Sequence, residues 1–238
     1  MKKHFQVAGM AAAMLTLVII GCSKNDKSPT QPQNTAPLLP SIAFNGPNTS
    51  SQDPNAQQAK LHIQTTNTYT GILAPYAGLQ ATLNGNTWTW TYNVQNLMAT
   101  LTATQQSDGS YYWKLVLNGT DPSTNTTYNN WTAIDGTTSA DGKSGDFNGY
   151  TPNTTTLLAE FSWSTNLNGV LTGTFKLYNN GGAVASQIDI VNNSDGSGEV
   201  RLSTAGTLSF KAVWLANGSG QWWRYDANGN QTTTGNWT

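Results

Sequence analysis

From Asn86 onward the chain alternates large apolar residues with small polar ones, one for one. Trp88, Trp90, Tyr92 and Val94 interleave with Thr87, Thr89, Thr91 and Asn93, and Leu97, Ala99, Leu101 and Ala103 with Met98, Thr100, Thr102 and Thr104. The period recurs at Trp113, Leu115 and Leu117, at Leu157, Ala159, Phe161 and Trp163, at Leu171, Phe175 and Leu177, and at Leu208, Phe210, Ala212 and Trp214. Successive side chains of an extended strand point to opposite faces, so this period gathers the large residues on one face and leaves the other wet. A helix, with its period of 3.6, would scatter them.

Turn signals separate the runs at short intervals: Asn84-Gly85, Asp108-Gly109, Asn118-Gly119, Asn168-Gly169, Gly181-Gly182, Asp195-Gly196, Ala205-Gly206, Asn217-Gly218 and Asn228-Gly229. Asn-Gly and Asp-Gly between alternating runs mark hairpins, because both residues accept the left-handed backbone that a tight turn needs. Each strand should therefore pair with its sequence neighbours. The sequence predicts a mainly β protein, an antiparallel up-and-down meander of about ten strands. The stretch from Asp121 to Thr156, with Trp131 and the turn Asp141-Gly142, holds one or two of these strands and a longer loop. A meander of this length is expected to close into a barrel or curve strongly, since closure removes exposed edges.

Charge is scarce. Only 10% of the 238 residues are charged, with 11 Lys and Arg against 12 Asp and Glu, where an ordinary domain carries about 25%. No basic field exists for nucleic acid. The wet face must stay soluble through Thr, Ser and Asn.

The N-terminus carries an address. Lys2 and Lys3 precede an apolar stretch from Val7 to Ile20, short of the roughly 20 apolar residues of a spanning helix and built like a secretory signal. It closes on Ile19-Ile20-Gly21-Cys22, which resembles the lipobox of bacterial lipoproteins. The resemblance covers about the first 23 residues. It implies cleavage before Cys22, a diacylglycerol on its sulfur and acylation of the new terminus, and Ser23 in place of Asp implies passage to the outer membrane. Cys22 is the one cysteine of the chain, so no internal disulfide competes for it. A lipid anchor is redundant for a spanning barrel, and the many large rings suit a filled interior. Both favour a domain outside the bilayer, on the periplasmic or the surface side.

The chain then divides into a signal peptide (1–21), a disordered tether rich in Pro, Ser, Asn and Thr (22–52), a helical segment (53–80) and the β domain (81–238). The helix is read from Asp53 before Pro54, a favourable start, and from Ala56, Ala59, Ile63, Thr70, Leu73 and Ala77 falling near one face. It is predicted to run to about Leu73 and to pack on the sheet, with Pro75 breaking it.

Catalytic groups are few. His62 is the one histidine beyond the signal, with no nucleophile motif around it, and is read as a helix-surface residue. Glu160 and Glu199 are the two glutamates, each on the polar side of a strand, and could serve a glycoside hydrolase only if close together. Asp226-Ala-Asn228-Gly-Asn230 opens like a calcium loop but has Gln231 and Trp237 at the positions that require Gly and an acid. No metal site, no cofactor and no catalytic residue is assigned. Aromatics are the remaining lead, nine Trp and nine Tyr. Alternation puts Tyr112, Tyr178 and one of Trp222 or Trp223 on the wet face, where rings can stack on a glycan.

These readings converge on a lipid-anchored, non-enzymatic envelope protein whose β domain is a binding or structural module. Its partners are the membrane, through the lipid, and either a glycan or a small apolar ligand. The alternatives are a carrier with an aromatic-lined barrel and a glycoside hydrolase using Glu160 and Glu199.

Overall fold

The computed structural model describes residues 35–238. The expected signal peptide and Cys22 lie outside the described residues. Helix α1 spans Pro54–Thr70. Asp53 caps it: its carboxylate accepts from the N–H groups of Asn55 at 2.7 Å and Ala56 at 3.2 Å, satisfying two of the donors a helix start leaves free. The chain tightens into a 3-10 segment, Gly71–Tyr76, and Pro75 lies in that segment. Ala56, Ala59, Ile63, Thr66 and Thr70 form the buried face of α1, close to the face expected.

Thirteen strands follow, three more than the pattern suggested: β1 (Thr82–Asn84), β2 (Thr87–Val94), β3 (Leu97–Gln105), β4 (Tyr111–Thr120), β5 (Thr127–Thr138), β6 (Ser144–Tyr150), β7 (Leu157–Thr165), β8 (Leu171–Tyr178), β9 (Val184–Asn192), β10 (Gly198–Thr204), β11 (Thr207–Trp214), β12 (Gly220–Tyr225) and β13 (Gln231–Trp237). They form one antiparallel sheet in sequence order. The sheet is not a closed barrel, because β1 and β13 are its two edges and do not pair. Its apolar face is covered by α1, the 3-10 segment and the chain before them, so closure is not what buries the core.

The apolar face holds two clusters. One joins Phe161, Trp163, Phe175, Ile188, Ile190, Val200, Phe210, Ala212 and Trp214 to Ala56, Ala59 and Ile63 of α1. The other joins Trp88, Trp90, Leu97, Leu101, Trp113, Leu115 and Trp131 to Leu73 and Tyr76 of the 3-10 segment. Phe147 packs against both.

A hairpin unit recurs in this core. Gly145, Gly198 and Gly220 stand directly across from Trp163, Trp214 and Trp237. A Cβ on these glycines would come within 2.5, 2.4 and 2.1 Å of the indoles, so each ring lies on bare backbone. Each indole N–H donates to a carbonyl of the turn that leads into the glycine's strand: Trp163 to Gly142 at 3.2 Å, Trp214 to Gly196 at 3.2 Å and Trp237 to Gly218 at 2.8 Å. The sequence behind it is Asp141-Gly142-Lys143-Ser144-Gly145, Asp195-Gly196-Ser197-Gly198 and Asn217-Gly218-Ser219-Gly220.

The expected tether to Gln52 is corrected by the structure. From Ala36 the chain is a strap packed on the covered face, with Phe44 only 3% exposed and seated over Gly173. Such a composition cannot build a core alone, but it can complete one. Two asparagine amides supply the backbone partners that a lone strand lacks. Asn67 of α1 accepts from Phe44 N–H and donates to its carbonyl, both at 2.8 Å, and Asn192 of β9 does the same for Asn45.

Candidate functional site

With one face of the sheet covered, chemistry is confined to the other. Register aligns its polar side chains in two rows that cross the strands. Lys114, Asp135, Asn148, Glu160, Lys176 and Gln187 stand opposite one another on β4 to β9. Tyr112, Thr137, Asp146, Ser162, Thr174, Asp189, Arg201, Lys211 and Trp223 run beside them from β4 to β12. Nearly all the charge carried by strands is in these rows. The exceptions are Glu199, which flanks the second row on β10, and Arg224, which donates to Asn55 at 2.9 Å and Gln58 at 2.7 Å on α1.

The rows are bonded internally. Asp135 accepts from Tyr112 at 3.2 Å, Tyr150 at 2.8 Å and Asn148 at 3.2 Å. Burial, then the hydrogen bond to and charge of Asp135, push the Tyr150 phenol up to about 12. Tyr112 is raised by burial and by the same charge and hydrogen bond. Further along, Tyr178 donates to Glu160, which also pairs with Lys176 at 3.2 Å. The Tyr178 hydrogen bond, with lesser help from Lys176, holds Glu160 below the ordinary carboxylate value, while burial and Glu160 push Tyr178 up to about 12. Glu199 pairs with Arg201 and with Lys211 at 3.1 Å, and Lys211 lies 5.2 Å over the Trp223 ring.

Of the sequence-predicted aromatics, Tyr112, Tyr178 and Trp223 are on the open face, all half-buried. Trp222 is not: it packs into the core with its ring over Gly235. The open-face three sit on β4, β8 and β12, so neighbours are four strands, about 19 Å, apart. No small ligand touches two of them. Tyr150, which shares Asp135 with Tyr112 and Asn148, was missed because the strands within the Asp121 to Thr156 stretch were not told apart in the sequence.

Glu160 on β7 and Glu199 on β10 are three strands apart, about 14 Å across the sheet, beyond the roughly 5–9.5 Å that a glycoside hydrolase needs. Glu160 is also shifted away from the value a general acid requires. His62 is partly buried rather than on the helix surface, its ring 5.8 Å from Phe210, and burial lowers its pKa. Among the described residues no three His, Cys, Asp or Glu side chains gather into a metal site, and no helix is long and apolar enough to cross a membrane.

The covered face is filled. Trp113, Trp214, Phe175 and Phe210 are fully buried, and the apolar cavity under Tyr69, Ile72 and Leu73 is about 60 Å³, against roughly 300–1,000 Å³ for a ligand pocket. An open cleft of about 760 Å³ runs between the strap and the 3-10 segment, with Trp90 on its floor. The strap forms one wall, and the residues ahead of it lie outside the described chain, so the cleft is not taken as a ligand site.

The open face has its own groove, of about 1000 Å³, between the Thr127–Trp131 stretch and the β6–β7 loop. Asn129, Asn130, Asn153 and Thr154 to Thr156 line it, with Lys114, Asp135 and Tyr150 at its base.

No known protein family matches the chain, and no curated protein is significantly similar to it.

Proposed function

We propose that this protein is a lipid-anchored component of a bacterial cell envelope, exported by its N-terminal signal, held by acyl chains on Cys22 and, given Ser23, directed to the outer membrane. Its β domain is a non-enzymatic binding module that meets its partner with the open face of the sheet. The observation carrying the binding role is the two bonded rows from Tyr112 to Trp223. Aromatic rings, amides and balanced charges are fixed in place there while the opposite face is closed by α1 and the strap. A ready-made polar surface of this kind offers recognition without the cost of ordering it. For the anchor, the support is the Ile19-Ile20-Gly21-Cys22 sequence, and two or more acyl chains suffice for stable membrane attachment.

Two measurements test the reading. Cys22→Ala should move the protein from the membrane to the soluble fraction; a variant still sedimenting with membranes sinks the lipid anchor. The released chain should co-sediment with delipidated envelope polysaccharide, and a chain that stays in the supernatant sinks the binding module.

A further inference from the structure

We propose that the groove between Asn129–Asn130 and Asn153 is a binding site for a neutral oligosaccharide or polysaccharide chain. The proposal rests on the binding-module reading and gives the partner a chemical class.

The lining excludes other classes. Two ionisable groups of opposite sign lie at the base, Lys114 and Asp135, directly across from each other in register. The Asp135 carboxylate already accepts three hydrogen bonds. No surplus positive charge is left for a phosphate or an anionic polymer. The walls are mostly carboxamides and hydroxyls, with Trp131 among them, matched to a ligand that presents many neutral donors and acceptors on a carbon frame. Tyr150 adds a ring whose orientation its hydrogen bond to Asp135 fixes.

The backbone points the same way. Asn130 and Asn153, on the two walls, have left-handed φ values of 49° and 59°. Elsewhere among the described residues that geometry falls to glycine at eleven positions and to Gln95, Asn125 and Ala205. Glycine is the least costly residue there, so asparagine at both walls keeps a carboxamide where the backbone alone would not ask for one. Each bend is held from outside the turn: Asn118 Oδ1 accepts from Asn130 N–H at 3.3 Å, and Asn153 Nδ2 donates to the Thr127 carbonyl at 2.8 Å. The side chains of Asn129 and Asn130 are exposed, leaving their amides to a ligand. Left-handed residues held in place by their surroundings mark functional positions more often than chance bends.

The test is calorimetric titration of the full-length protein in detergent with cellohexaose, maltohexaose and, as the anionic comparison, polygalacturonate. A neutral hexasaccharide should bind, and Asn129→Ala with Asn130→Gly should weaken it about tenfold, the loss expected for a pair of hydrogen bonds. The glycine keeps the left-handed backbone while removing the amide. Leu167→Ala, fully exposed in the turn between β7 and β8 and away from the groove, should leave this binding unchanged. If the double variant does not fold, Asn129→Ala alone, at an exposed side chain that holds no part of the wall, should weaken binding in the same direction. Binding of polygalacturonate alone, binding of none of the three, or equal binding by wild type and variant overturns the proposal. If the released chain still co-sediments with envelope polysaccharide in those cases, the groove is wrong and the binding module stands.

Discussion

The side-chain amide of Asn192 closes a ring of two hydrogen bonds on the backbone of Asn45, accepting its N–H at 2.6 Å and donating to its carbonyl at 2.9 Å. A buried side chain thus does what a neighbouring strand would do for a segment that has none. The strap is held at two consecutive residues in this way, by Asn67 at Phe44 and by Asn192 at Asn45. Asn192→Ala should therefore destabilise the protein by about 1–3 kcal/mol, the cost of stranding polar backbone groups at a buried site. Urea denaturation measures this, and an unchanged midpoint would mean that the strap is not held here.

Gly198 and Trp214 make a steric prediction. Gly198→Ala would place a methyl group 2.4 Å from the indole and 2.6 Å from the Val191 carbonyl oxygen. Neither neighbour can withdraw without breaking the ladder or the Trp214–Gly196 bond, so a loss of about 1–3 kcal/mol is expected. Gly71→Ala is the control: nothing lies within 4 Å of its added Cβ and its φ is −79°. It should be neutral or slightly stabilising, and equal effects at the two sites would contradict the packing described.

The open-face tyrosines predict the alkaline limb of stability. Tyr150 and Tyr178 ionise at about 12 in the fold against about 10 in the unfolded chain. Their contribution is therefore complete below pH 10 and lost as pH rises from 10 toward 12. Glu160 acts at the other end: its folded value lies below the unfolded one, so its contribution is present above the unfolded carboxylate range and lost as pH falls through the folded value. Ultraviolet titration should find late-ionising phenols in the wild type, one fewer in Tyr150→Phe and one fewer in Tyr178→Phe. Tyr178→Phe should also raise the Glu160 pKa, read by carboxylate NMR.

Arg224 ties the helix to the sheet. Its guanidinium bonds Asn55 and Gln58 and lies 5.7 Å over the Phe210 ring. Arg224→Ala should speed amide exchange in α1 more than in β9 to β11, with a loss of about 1–3 kcal/mol for the charged hydrogen bonds. Arg224→Lys should not restore it, because an ammonium lacks the planar fork that reaches two acceptors. Uniform acceleration over the whole chain would count against a local tie.

Much of the fold was legible because strand alternation and turn chemistry are local. Trp88, Trp113, Phe161 and Trp214 went to the core face where the period of two put them, and Asp53-Pro54 started the helix. The reading failed where the code is not local. β5 and β6 were blurred by Gly136 and Gly145, whose empty positions make sense only beneath Phe147 and Trp163 on the neighbouring strands. Phe44 and Asn45 read as tether because their partners are 23 and 147 residues away. Tyr150 lay in a stretch whose strands were not separated, and Trp222 and Trp223 could not be told apart until register assigned their faces.

By itself, the sequence determined the antiparallel order of strands, the residues of the core face and the scarcity of catalytic groups, since each follows from a residue and its near neighbours. Only the tertiary structure decided that the sheet stays open with its apolar face capped by α1 and the strap. It also separated Tyr112, Tyr178 and Trp223 by several strands each, and brought Asn129, Asn130 and Asn153 around one groove. Distances across a sheet are set by how many strands intervene and where the register shifts, and neither is written in any short stretch of chain.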